Sequence, residues 1–138
     1  MQDRFKFRFW SIKDKQCIDW RCYMQTACNR GYAENPYGLL YSLWTNSKDF
    51  ISQQCTGLKD KNGKLIYEGD IVKYRRTNPV ETGIGIVNCH TCYFSLDFTE
   101  LGKYEESGLS LTKNTTDYTR LVVIGNIYEN PELLENKR

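Results

Sequence analysis

The sequence predicts a mainly β protein with little helix: a small antiparallel barrel in the C-terminal part and a β-hairpin extension in front of it. Three observations carry this. Near the N-terminus, Arg4-Phe5-Lys6-Phe7-Arg8-Phe9 alternates strictly between cation and aromatic, the period of a strand. From Lys64 onward, five or six short apolar segments are separated by turn signals every ~8–12 residues. Finally, 14% of the 138 residues are aromatic and only 3 are proline, which suits a packed core and argues against disorder.

The elements follow in order. Alternation puts Phe5, Phe7 and Phe9 on one face of the first strand and Arg4, Lys6 and Arg8 on the other, and Trp10 ends the run. Lys13-Asp14-Lys15 is a polar turn, and residues 17–24 return as a second strand to make a hairpin. Residues 25–38 lack a period and contain Gly31, Pro36 and Gly38, so they read as a loop. Residues 39–44 are apolar and short; the Pro and Gly before them favour a strand. Residues 50–56 form another.

Asp60-Lys61-Asn62-Gly63 has the chemistry of a type I turn, because an aspartate in first place accepts backbone N–H groups and a glycine in fourth tolerates positive φ. Glu68-Gly69-Asp70 is a second turn between Leu65-Ile66-Tyr67 and the strand at residues 71–74. Residues 84–87 and 93–98 are strands, the latter with Phe94, Leu96 and Phe98 on one face. Residues 99–108 form a polar connection, Leu109 and Leu111 mark a short strand, and residues 113–118 a polar turn. The β-branched run at residues 121–124 is expected to be the most buried strand. Asn130-Pro131-Glu132-Leu133-Leu134 reads as a cap followed by a short helix or 3₁₀ turn. The strand count suits an SH3-like roll. This divides the chain into an N-terminal β-rich subdomain, residues 1–55, and a C-terminal barrel domain, residues 56–138.

Charge is unevenly spread. The net charge is +2, but residues 1–78 carry 14 Lys/Arg against 8 Asp/Glu, and residues 79–138 carry 5 against 9. A basic half can follow phosphates, or pair with an acidic half of the same or a neighbouring molecule. A pI near 8.2 gives no domain-wide basic footprint, so packing or solvation is favoured over nucleic acid. No apolar run approaches the ~18 residues of a membrane span, and the first residues lack a signal-peptide core. A cytoplasmic protein without membrane contact is expected.

Three collinear segments resemble the YopX family of phages and prophages. They are Phe5-Lys6-Phe7-Arg8-Phe9-Trp10, the stretch from Thr56 through Gly57-Leu58-Lys59-Asp60 and Tyr67-Glu68-Gly69-Asp70 to Val72, and the stretch from Val123-Ile124-Gly125-Asn126 through Tyr128 to Leu134. The resemblance implies an SH3-like C-terminal domain, a more variable N-terminal part, a homo-oligomer and no known catalytic activity. Cys55 stands where the family often carries an aromatic residue.

Cys89-His90-Thr91-Cys92 is the sharpest candidate for metal or redox chemistry. Two thiolates three positions apart can share a zinc ion, but a closed site needs two further ligands. The spacing of Cys17, Cys22 and Cys28 supplies no second such pair. The motif lies in a hairpin turn, where a redox pair would be expected ahead of a helix. Free thiols and no cofactor are therefore expected, with zinc at Cys89 and Cys92 as the alternative. Glu68 and Asp70 could be paired acid–base carboxylates, yet the turn explains them more simply. Phe5, Phe7, Phe9, Trp10, Trp20 and Trp44 are assigned to the core ahead of an interface. The function expected is that of a non-enzymatic, self-associating accessory protein that binds another macromolecule. The runner-up is a nucleic-acid-binding barrel using Arg4, Lys6, Arg8, Lys73, Arg75 and Arg76.

Overall fold

Ten strands and one short helix account for the regular structure of the computed structural model, which describes residues 6–19, 50–77, 80–90, 93–100, 103–104, 109–112 and 120–135. The expected strand at residues 39–44, and Arg4, Phe5, Trp20, Trp44 and Cys92, lie outside the described residues. The strands form two sheets. The first has the order β2-β1-β3-β4, with β1 at Phe7–Ser11, β2 at Gln16–Asp19, β3 at Phe50–Lys59 and β4 at Leu65–Tyr67. The second runs β10-β5-β6-β7-β8, with β5 at Asp70–Thr77, β6 at Val80–Cys89, β7 at Phe94–Glu100, β8 at Lys103–Tyr104 and β10 at Val122–Asn126. The short β9, Leu109–Ser110, also pairs with β7. Helix α1 spans Glu132–Glu135. Among the described residues no helix is long and apolar enough to cross a membrane.

The N-terminal hairpin is present, with Trp10 opposite Cys17 and Arg8 opposite Asp19. β3 continues from Phe50 to Lys59, pairing with β1 over residues 50–54 and with β4 over residues 55–59, so the 55/56 division falls inside one strand. Cys55 at that point is fully buried.

Both turn readings hold in atomic detail. Asp60 Oδ1 accepts the N–H groups of Asn62 (2.8 Å) and Lys64 (2.9 Å), and Gly63 has φ +80°. Asp60 Oδ2 also accepts the Val123 N–H (3.0 Å), while the Lys61 N–H donates to the Leu121 carbonyl (3.0 Å), so this turn covers the free edge of β10. At Glu68-Gly69-Asp70, Gly69 has φ +79° and Asp70 Oδ2 accepts the Tyr67 N–H (2.8 Å).

The core lies between the sheets. Ile66 of β4 packs with Val72 and Tyr74 of β5, Val87 of β6, Leu96 of β7, Leu111 and Leu121, flanked by Leu58, Phe94 and Val123. One expectation fails here. The run 121–124 is not the most buried strand: Leu121 is buried, but Val122 and Val123 are half-buried and Ile124 is 37% exposed. β10 is an edge strand, and the register shift between Val123 and Gly125 bulges Ile124 outward. β5, flanked on both sides, holds the fully buried Ile71 and Val72. The helix forms where expected, but Asn130 Oδ1 accepts the Asn126 N–H (3.3 Å), tying the helix start back to β10.

Candidate functional site

The densest polar cluster lies where the two sheets meet. Arg8 of β1 stands directly opposite Gln53 of β3, and its Nε donates to Gln53 Oε1 (2.7 Å). The Arg8 guanidinium pairs with Asp70 Oδ1 at the start of β5 and lies over the Tyr67 ring, 4.6 Å from its centroid. Asn126, at the end of β10, donates from Nδ2 to Gln53 Oε1 (3.3 Å) and Asp70 Oδ1 (3.5 Å). The Asp70 side chain is 1% exposed and that of Arg8 14%.

Gly69 makes this convergence possible. Its N–H donates to the Val87 carbonyl (2.8 Å) and its carbonyl accepts the Ile127 N–H (2.9 Å), so the residue before Asp70 is pinned to β6 and to the exit of β10. A Cβ at Gly69 would lie 2.4 Å from Gln53 Nε2, and positive φ already disfavours a side chain there. Two donors meet at Gln53 Oε1, which fixes the amide orientation; Nε2 has no partner among the described residues.

Burial pushes the Asp70 carboxyl above its ordinary value. The Arg8 charge, the Tyr67 N–H, and the hydrogen bonds from Arg8 and Asn126 oppose this. Both carboxylate oxygens accept hydrogen bonds, Oδ1 from Arg8 and Asn126 and Oδ2 from the Tyr67 N–H, so Asp70 serves as a clamp between the sheets. Glu68 is half-buried, and its Oε2 accepts the Gln54 N–H (3.4 Å). Removing one partner of such a buried pair costs about 3–5 kcal/mol, because the other charge is stranded.

Among the described side chains, the alternative nucleic-acid residues Arg8, Lys73 and Arg75 face different ways. Arg8 is turned inward, its side chain 14% exposed. Its face of β1 also carries Trp10, which is buried and stacked on Tyr128 with ring centroids 6.0 Å apart. Lys6 is half-buried and Phe7 half-buried, while Phe9 on the opposite face is buried. Lys73 and Arg75 project from the outer face of β5, away from Asp70, Val72 and Tyr74, and both are exposed. Arg76 lies in β5.

At the metal candidate, Cys89 is exposed and its Sγ contacts Gln54 Oε1 at 3.9 Å. Burial and then Glu68 push its thiol up, which disfavours the thiolate that metal binding needs. Among the described residues no group of three or more metal-binding side chains occurs. His90 stacks on Tyr93 at 4.6 Å, and its Nε2 lies 2.8 Å from Ser95 Oγ. Ser95 Oγ donates to Asp97 Oδ1 (2.9 Å), which leaves His90 Nε2 as the donor to Ser95. Asp97 also receives Asn88 Nδ2, so these groups fasten the β6–β7 hairpin.

Sequence reasoning missed Gln53, Asn126 and the inward turn of Arg8. The available signal was Trp10, a large apolar residue two positions from Arg8 on the same face of β1. All three sequence segments singled out for their resemblance meet here: Arg8 and Trp10 from the first, Tyr67, Gly69 and Asp70 from the second, Asn126 and Tyr128 from the third.

Comparison with known proteins agrees. No curated protein matches the sequence. Among solved structures, the crystal structure of protein EF1440 from Enterococcus faecalis is similar, with a TM-score of 0.54 and 20% identity over 94% of this chain and 96% of that one, a likeness of fold. The family model described as YopX protein matches residues 6–135. With all the described residues inside that match, including every residue of the inter-sheet clamp, this chain belongs to the YopX family.

Proposed function

We propose that this protein is a non-enzymatic accessory protein of a phage or prophage that works in the host cytoplasm as a self-associating module binding another macromolecule. In this reading residues 56–138 are an SH3-like small barrel and residues 1–55 its β-rich extension. Support for the barrel comes from the contacts that bring the sheets together: the Asp60 turn along β10, and Gly69 between Val87 and Ile127.

The observation that carries the functional reading is the outer face of β5 and β6. In register, Ile71 lies opposite Ile86, Lys73 opposite Ile84, Arg75 opposite Thr82 and Thr77 opposite Val80. Ile71 and Ile86 are buried, but towards the hairpin end the face opens until Val80 is 71% exposed. Apolar side chains between exposed cations, continuous with a covered region, are the composition of a contact surface. The polar groups of the inter-sheet clamp are meanwhile spent on holding the fold.

Light scattering of the purified protein tests the reading: an oligomer is expected, and a sharp monomer at high concentration overturns it. Lys73 and Arg75, exposed on one face of β5, favour nucleic acid as the second reading. A gel shift with DNA and RNA that weakens steeply as salt rises would establish that reading instead.

A further inference from the structure

We infer that the outer face of the β5–β6 hairpin docks the glutamate-bearing segment Glu129–Glu135 of a second copy of this chain. The inference rests on the self-associating reading above and gives it a surface.

One molecule carries both halves of the contact. The receiving half is the row Val122–Lys73–Ile84 with Arg75, Thr82 and Val80 beyond it, exposed cations among apolar side chains. The entering half is the stretch around α1, where Glu129, Glu132 and Glu135 are all exposed and Leu134 is half-buried. The two halves lie side by side on the same sheet face. A Cβ on Gly125 would come within 2.8 Å of Leu133 Cδ1, and Gly125 pairs with Ile71, two residues before Lys73. Each molecule thus presents an acidic segment next to a basic, partly apolar platform.

A two-fold contact needs this self-complementarity, with one copy's segment over its partner's platform and the reverse. Opposite charge fixes the register, and Val80, Ile84 and Val122 supply area to bury. The same apolar groups argue against a nucleic acid on this face. They offer a phosphate nothing, and β6 and β10 carry no aromatic side chain on which a base could stack.

Sedimentation equilibrium of the intact protein provides the test, with K73E/R75E and E132K/E135K variants whose folds are checked by circular dichroism. Each variant alone should associate at least about tenfold more weakly than the wild type, since like charges then face each other. An equimolar mixture of the two should recover association, because both contacts regain opposite signs. If both variants associate like the wild type, this surface is wrong while self-association stands. A wild type that stays monomeric overturns both readings. Single-stranded DNA binding abolished by K73E/R75E in a monomeric protein would assign the face to nucleic acid and overturn the inference as well.

Discussion

Strands β1 and β5 carry the same written pattern, a cation between apolar neighbours, and place those cations in opposite environments. In β1, Phe7-Arg8-Phe9 puts Arg8 over the Tyr67 ring and against Asp70, with its side chain 14% exposed. In β5, Val72-Lys73-Tyr74-Arg75 leaves Lys73 and Arg75 exposed on the outer face of the sheet. Alternation fixes which residues share a face. It does not say what covers that face, and here a carboxylate 62 residues away decides the matter for Arg8. A buried cation holds the fold, and an exposed one is available to a partner.

The comparison is broken most directly by substituting one arginine in each strand. Arg8→Ala strands the buried Asp70 carboxylate and should cost about 3–5 kcal/mol, whereas Arg75→Ala should stay within about 0.5 kcal/mol. Urea denaturation measures both, and equal losses would mean that the inward pair contributes nothing special. The glycine turns extend the contrast. Gly69→Ala forces a side chain into positive φ and against Gln53, so it should cost about 2–3 kcal/mol, above the ~1–2 kcal/mol of left-handed strain alone. Gly63→Ala meets nothing within 4 Å and should cost only that strain. Asp60→Asn keeps one acceptor but can turn an amide towards the Val123 N–H, with an expected loss of about 1–2 kcal/mol.

The smallest expected effect is on pH dependence. The folded-state pKa of Asp70 lies above its ordinary value of 3.8, so the folded protein binds this proton more tightly than the unfolded chain. Its contribution to stability is fully present below that ordinary value. It is lost as pH rises through the folded-state pKa and is constant above it. Denaturation midpoints across the acid range should therefore show a component that Asp70→Asn removes. A component surviving in the variant would assign it to another carboxylate.

Much of the fold was legible because local chemistry determines it. The Asp60 and Gly69 turns, the N-terminal hairpin, the Phe94–Leu96 face and the short terminal helix all follow from residues a few positions apart. The rank of a strand within its sheet is not local. Val122-Val123-Ile124 encodes an extended conformation, but its place at the edge depends on which strand pairs with β5. The candidate site was the least legible part, since Arg8, Gln53, Asp70 and Asn126 come from four strands and none has a neighbour in sequence that reveals its partner. The 55/56 boundary likewise follows from counting strands along the chain, while β3 pairs with β1 before it and with β4 after it.

The two backbone bonds of Gly69 bear on how the molecule opens. Its own amide hydrogen is held by Val87 and its carbonyl holds that of Ile127, so neither proton can swap with solvent while β6 and the exit of β10 stay seated around the turn. In deuterium oxide these two amides should lose their hydrogens together and slowly, at the rate of whole-molecule excursions, while amides at the hairpin tips trade theirs long before.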